Sequence, residues 1–468
     1  MDDRKVDVAI VGGGLAGVAA ADVLGRYGIG VLILDDQLHP GGQYLRGGRG
    51  AGVGWADVVK RRGLKLLDRL PREAVAVKNP VEVLGIEPGF ELLAADGNGG
   101  LFTVEAKHVL LATGARERFL PFNGWTLPGV LAAGAVQLLI KQSGILPARN
   151  TLVAGAGLFL TAVAGDIVKS GGRVPVVVNE TPFYRQVPPP GLIVRQFAKF
   201  VQGGATLARL RLAGTAVRSS TRLLEARGDE GLREVVAVRV DPKGNPVPGS
   251  ETVYPTGSLA VGFGFTANLE LAQLAGCGLA FDAGLGGWIV KVDEDLKTSI
   301  DGMYAAGEIT AVGGAAKSLT EGRLAGFSIL KDMHVLKFKN IRAEISALKQ
   351  RRQRQMAFAR YFNSQCTFAP EYLAGWIRSL PDDVPVCRCE GVHLGDLRRA
   401  VTEGFDTPSA VKKATRCGMG ICQGSTCKTI LLEVLSALTG RPLAHIPLPS
   451  VRMPVKPTSL GSLAGDGP

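Results

Sequence analysis

Residues 6–17, VDVAIVGGGLAG, decide how the rest of the chain is read. Residues 6–11 form a short apolar run of strand length. Gly12, Gly14 and Gly17 follow at Gly-x-Gly-x-x-Gly spacing, and the helical run VAAADVLGRYG comes directly after them. Strand, glycine turn and helix in this order are the context in which the spacing signifies dinucleotide binding. Gly12 permits the tight turn, Gly14 lets the backbone approach a pyrophosphate, and Gly17 lets the helix lie close to the strand. The positive end of the helix then faces the phosphates. A second strand, VLIL, ends at Asp35 and Asp36, about twenty residues on, where a carboxylate can hold a ribose hydroxyl pair.

The next turn, HPGGQYLRG, resembles the Pro-Gly-Gly-Gln segment of flavoprotein reductases, which implies that Gly41, Gly42 and Gln43 approach FAD. Residues 55–107 carry less information. WADVVKRRGLKLLDRL reads as helix, and VEVLGI, FELLAAD and LFTVEA alternate like strands. HVLLATG, residues 108–114, is a buried strand ending in Ala112, Thr113 and Gly114, where the chain passes FAD in flavoproteins of similar design. TSIDGMYAAGEI, residues 298–309, resembles the closing FAD motif of the glutathione-reductase-like fold. Gly307 and Glu308 would lie at its end, and Glu308 would meet the ribityl or pyrophosphate region where an Asp is usual. The helix expected from about Ala315 would point its N-terminus at the pyrimidine end of the flavin.

Between the two FAD segments a second unit repeats the pattern. TLVAGAGLFLTAVAGDIVKSGGRVPVVVNE is strand, Gly155-Ala156-Gly157, helix, strand and Glu180. Leu160 stands where the third glycine would be, and a bulky residue there holds the helix farther from the strand. NAD(P), another adenine nucleotide and no ligand at all are each compatible with Gly155, Gly157 and Glu180. Residues 209–253 read as antiparallel strands. No Cys-x-x-Cys or Cys-x4-Cys lies near either glycine motif, so disulfide-reductase chemistry lacks its residues.

The chain has 468 residues, enough for two to four domains, and 46% of them are hydrophobic. Its 63 glycines suit an α/β protein rich in tight turns, and its formal net charge of +12 makes it basic. The basic residues are dispersed apart from residues 349–354, KQRRQR, read as a solvated helix face. With few aromatic residues and no nucleic-acid motif, nucleic acid is not an expected partner. No signal peptide or transmembrane run is visible, which predicts a cytoplasmic protein and leaves peripheral membrane attachment open.

Five of the seven cysteines fall within residues 387–427. Cys387 and Cys389 make a Cys-x-Cys pair, and Cys417, Cys422 and Cys427 follow at five-residue steps. The intervening sequence reads as small amphipathic helices, a unit too small to fold well without a staple. Nothing else suggests the oxidising compartment that a disulfide knot needs. Structural zinc is a rival, although zinc sites usually show Cys-x-x-Cys knuckles. CRCE followed by TRCGMGICQGSTC is similar to the bacterioferritin-associated-ferredoxin type of [2Fe-2S] domain. It is closer still to the version fused to flavoprotein subunits of opine oxidases, dye-linked proline dehydrogenases and cyanide-forming glycine dehydrogenases. That resemblance implies Cys387, Cys389, Cys422 and Cys427 as the cluster ligands and leaves Cys417 as a spare thiol. ARERFLPFNGWTLPGV and the Pro-rich tail resemble the same subunits, with Trp125 read as a packing residue.

The expected architecture is α/β, a glutathione-reductase-like flavoprotein with two dinucleotide-binding domains plus a small helical C-terminal [2Fe-2S] domain. Residues 1–115 and 255–330 would form the FAD domain and 116–254 the second nucleotide-type domain. A helical connector would span 331–380, the cluster domain 381–440, and an extended arm 441–468. The resemblance implies a flavin and iron–sulfur subunit of a multi-subunit amine or amino-acid dehydrogenase. A partner beta-type subunit with its own FAD would oxidise the C–N bond, and the resemblance leaves a further small subunit open. Electrons would leave to a quinone or other acceptor. No catalytic residue for substrate is identifiable in this chain. The competing expectation is a self-contained NAD(P)H-dependent flavin reductase that feeds the cluster.

Overall fold

The computed structural model of the chain describes residues 4–47, 58–335 and 338–464. The start of the helix expected from Trp55 and the last residues of the arm lie outside this range. Two compact units emerge, one from residues 1–116, 266–360 and 451–468, the other from 117–265 and 361–450.

The first unit is built on a seven-stranded sheet. The strand Lys5–Val11 lies at its centre, parallel to Val31–Leu34 on one side and Leu101–Leu111 on the other. Val8 pairs with Val31 and with His108, and all four residues of Val31–Leu34 are buried. Continuous apolar strands of this kind are what a parallel sheet covered on both faces requires. Met303–Ala305 joins parallel to Leu101–Leu111, so the glycine turn after Val11 and the Gly307 turn open at the same edge. The helix Leu15–Gly25, buried throughout, crosses the helix Ala315–Asp332. A Cβ on Gly322 would lie 2.1 Å from the carbonyl oxygen of Ala16, so only glycine allows the two backbones to touch there. The tail returns to this unit, where the Val455 N–H donates to Leu84 O at 2.8 Å and Met453 lies over Gly85.

The basic run is more than a solvated face. Within the helix Phe338–Ser364, Lys349 pairs with Asp295 at 2.6 Å, and Arg352 reaches the fully buried Glu321 at 2.7 Å.

The second unit holds a five-stranded parallel sheet in the order Ala216–Ser219, Val176–Asn179, Leu152–Gly155, Leu259–Gly262, Val130–Ala132. The antiparallel strands expected from Arg209 begin only at Thr221, in the three-stranded sheet Thr221–Arg227, Glu234–Arg239, Thr252–Pro255. Arg209 to Leu212 instead closes the helix Phe197–Leu212. The C-terminal part is helical, with Pro370–Ser379, Leu394–Thr402, Pro408–Thr415 and Cys427–Thr439 around the short hairpin of Pro385–Cys387 and Val392–His393. Trp125 donates from Nε1 to Pro385 O at 2.7 Å, and Arg118 donates from Nε to the buried Glu433 at 2.8 Å. The predicted packing residue thus supports the hairpin that carries Cys387. Among the described residues no helix is long and apolar enough to cross a membrane.

Candidate cofactor sites

The first glycine turn is tight at its base and open above. A Cβ on Gly12 would meet Ala112 O at 2.4 Å, and one on Gly17 would meet Gly12 O at 2.1 Å. Gly12 and Gly14 themselves stay half-buried. Gly41 donates to Gly13 O at 2.7 Å, which lays the Pro-Gly-Gly-Gln segment on the turn. A Cβ on Gly42 would stand 2.9 Å from the Cα of Gly14, whereas Gln43 is exposed.

Of the two acids after the second strand, Asp35 faces inward beside Gly13 at 4% exposure and accepts from Gln37 N at 2.9 Å. Burial raises its carboxyl above the usual range, and the neighbouring charge of Asp36 adds to the rise. Asp36 is exposed. Arg46, which the sequence does not single out, follows the same turn. Its Nη2 is buried without a hydrogen-bond partner among the described residues, and burial lowers its pKa against the opposing fields of Asp36 and Asp35.

Ala112 donates to Val11 O at 2.8 Å, and Thr113 Oγ1 donates to Asn268 O at 2.8 Å. Asn268 answers by donating from Nδ2 to Thr113 O at 2.7 Å, fixing a segment that leaves open space around Gly114. Glu308 turns back onto the start of the helix Ala315–Asp332. It accepts from Gly314 N at 2.9 Å, Ser318 Oγ at 3.1 Å and Gly313 N at 3.2 Å. Burial raises its pKa against the pull of Lys317. Lys317, fully buried, donates to Gly307 O at 2.7 Å and to Glu321 at 2.7 Å. Despite the upward push of burial, the charges of Lys317 and Arg352 hold Glu321 below its ordinary value. A half-open glycine turn, an inward acid and an orphaned guanidinium nitrogen together suit an adenine dinucleotide.

The second glycine turn differs. Gly155, Ala156 and Gly157 are all buried. Glu180, 3% exposed, accepts from Arg222 Nε at 2.6 Å and from the Tyr372 hydroxyl. Leu160 is fully buried in an apolar core with Val136, Val153 and Val163.

In the C-terminal domain three of the five clustered cysteines form a buried group, which contains Cys387 and Cys427 of the four expected ligands but not Cys389 or Cys422. Cys387, Cys417 and Cys427 are buried, with their sulfurs within 4.8 Å of one another. Cys389, exposed, and Cys422, half-buried, interact with each other, which raises the Cys389 thiol. Cys387 is pulled down to about 5, first by its hydrogen bond with Cys417, with the backbone N–H groups of Gly418 and Glu390 also lowering it. Cys417, set aside in the sequence as a spare thiol, therefore sits inside the group rather than away from it. Thiolates gathered by short turns at the start of a helix are a donor set for a soft metal. Cys277 and Cys366 lie apart, each buried.

Residues 6–324 match the family model of pyridine nucleotide-disulphide oxidoreductases, and residues 386–466 match the sarcosine oxidase A3 domain. Over 456 residues the chain is 32% identical to hydrogen cyanide synthase subunit HcnB of Pseudomonas aeruginosa, covering 92% of this chain and 93% of that one. The chain belongs to the HcnB and opine oxidase family. An opine oxidase subunit of Agrobacterium tumefaciens is 29% identical over 492 residues, covering 98% of this chain and 91% of its own length. L-proline dehydrogenase from P. horikoshii shares the fold, with a TM-score of 0.71 at 21% identity over 98% of this chain and 79% of that one. This member of the HcnB and opine oxidase family is an oxidoreductase subunit with a glutathione-reductase-like FAD-binding fold and a C-terminal sarcosine oxidase A3 domain.

Proposed function

We propose that the chain is the electron-transfer subunit of a multi-subunit dehydrogenase for an amine or amino acid of the proline, opine, glycine or sarcosine type. The observation that carries this reading is the buried group of Cys387, Cys417 and Cys427, on the same chain as an FAD-binding fold. The relatives are themselves subunits, one of a synthase and one of an oxidase, which supports a place beside partner subunits. FAD would be held by Gly12, Gly14, Gly17 and Gly42, with Asp35 at the ribose and Arg46 at the charged part of the cofactor. Ala112–Gly114 and Gly307 would border it. A [2Fe-2S] cluster would be held by Cys387, Cys389, Cys422 and Cys427, with Cys417 beside them.

Flavin exchanges two electrons and an iron–sulfur cluster one, so a chain holding both converts between the two modes. Its own residues would shape that exchange. Lys317 and Glu321 hold the Gly307 turn rigid, and Trp125 and Arg118 hold the cysteine domain in place. Substrate would be oxidised on a flavin-bearing partner subunit, and electrons would leave to a quinone or similar acceptor.

The decisive experiment is anaerobic visible and EPR spectroscopy of the purified chain, before and after dithionite, with FAD and metal quantified. A bleaching flavin and a one-electron signal with about two irons per chain are expected. Stoichiometric zinc without a signal would overturn the reading. Cys389→Ser should abolish the signal and slow acceptor reduction at least about tenfold, while reduction of the partner's flavin by substrate persists.

A further inference from the structure

The second glycine turn is covered by the chain that carries it. A Cβ on Gly157 would meet Cys366 Sγ at 2.3 Å and Gln365 Cβ at 3.6 Å. That is the face through which a pyrophosphate approaches the middle glycine of such a turn. The hydrogen-bonding groups a phosphate would use are already engaged. Gly157 N donates to Asn179 Oδ1 and to Thr181 Oγ1, each at 3.2 Å, and the Cys366 thiol donates to Ala156 O at 3.2 Å. At the other end of the crevice stands Glu180, at the place where an acid receives the ribose hydroxyls. It is bonded to Arg222 and to Tyr372, and the Arg222 guanidinium lies 4.6 Å from the Tyr372 ring and 4.7 Å from that of Trp376.

We propose that residues 365–372 are the occupant of this crevice, so that the second unit binds neither a nicotinamide nor an adenine nucleotide. Gln365 and Cys366 stand in the pyrophosphate place, and the Tyr372 phenol stands at the ribose acid. The segment is fixed from several sides. Thr181 Oγ1 donates to Gln365 O at 2.6 Å, Arg118 Nη1 to Cys366 O at 2.9 Å, and Gln365 Nε2 to Arg185 O at 2.8 Å. A nucleotide entering here must break these bonds and also strip a buried carboxylate of its hydroxyl donor. Burial pushes the Cys366 thiol up to about 12, which keeps it a neutral donor to Ala156. The inference goes beyond the proposed electron-transfer role and stands whatever metal the other cysteines hold.

The test uses the full, FAD-loaded chain. NAD+, NADP+ and ATP are titrated to about 1 mM by calorimetry. In parallel, alkylation of Cys366 by iodoacetamide is followed by mass spectrometry, with and without each nucleotide. No saturable binding is expected, and Cys366 should react at least about 100-fold more slowly than in the unfolded chain. Binding that leaves the Cys366 rate unchanged and survives Gly157→Leu lies elsewhere and agrees with a filled crevice. A Kd below about 100 μM that Gly157→Leu abolishes, or that changes the Cys366 rate about tenfold, would overturn the proposal. So would a Cys366 that alkylates as fast as in the unfolded chain.

Discussion

The two glycine turns of this chain start from the same plan and end differently. Each follows a buried parallel strand and opens a helix of eleven residues. In the first, Gly17 lets the helix press on the turn, Gly14 remains half-exposed, and the acid Asp35 is bonded to the nearby Gln37 N–H. In the second, Leu160 replaces the third glycine and fills the core, Gly157 is buried under Cys366, and Glu180 is locked to Arg222 and Tyr372. The lesson is that a nucleotide-type turn fixes the path of the backbone but not what rests against it. Long-range contacts decide that.

Exchanging features between the turns should break this contrast most severely at the first one. Gly17→Leu would drive a Cβ to 2.1 Å from a backbone oxygen that cannot yield. The variant should lose essentially all bound flavin, read as absorbance per chain; full occupancy would mean that the third glycine does not separate the two turns. The reciprocal change, Leu160→Gly, removes a fully buried side chain. It should destabilise the chain by about 4 kcal/mol in urea unfolding, the sum of a Leu cavity and a helical glycine, without creating nucleotide affinity.

The two acids provide a finer comparison. Glu180→Gln leaves Arg222 without its buried counter-charge and should cost about 3 kcal/mol of stability. Asp35→Asn should cost less than about 1 kcal/mol yet weaken FAD binding about tenfold, measured by flavin fluorescence. Similar stability losses in both variants would erase the distinction.

The smallest effect concerns the carboxylates at the helix starts. Glu308 serves this role in the first unit. In the second, Glu117 accepts from Gly134 N at 2.8 Å and Ala135 N at 3.2 Å, at the start of the helix Ala133–Ser143. Burial raises Glu117 to about 7. The folded chain therefore keeps a proton that the unfolded chain has released. The stabilising contribution is complete below the ordinary glutamate value of 4.5 and is lost as pH rises through about 7. Glu117→Gln should flatten the fall in stability between about pH 5 and pH 7. An unchanged slope would show that Glu117 does not titrate in that window.

Much of this was legible locally. Apolar strands followed at once by glycines, and cysteines five residues apart, carry their meaning within short windows. Arg209-Leu210-Arg211-Leu212 misleads because its alternation imitates a strand, although Leu210 is fully buried while Leu212 is 90% exposed in a helix. Other features had no local signal. Asn268 meets Thr113 across 155 residues, and Glu433 meets Arg118 across 315. Arg46 gave no sign because its distinction is a buried nitrogen without a partner among the described residues, visible only once the turn is folded.

Cys366 lies 210 residues beyond the carbonyl it covers. During synthesis at about 5–20 residues per second, the second glycine turn therefore waits about 10–40 s for its cover. In that interval the nascent chain is a different object from the finished one. Ribosome-bound chains arrested ahead of Tyr361 should show Gly157 bare and open to passing nucleotides, and release of the full chain should end that access.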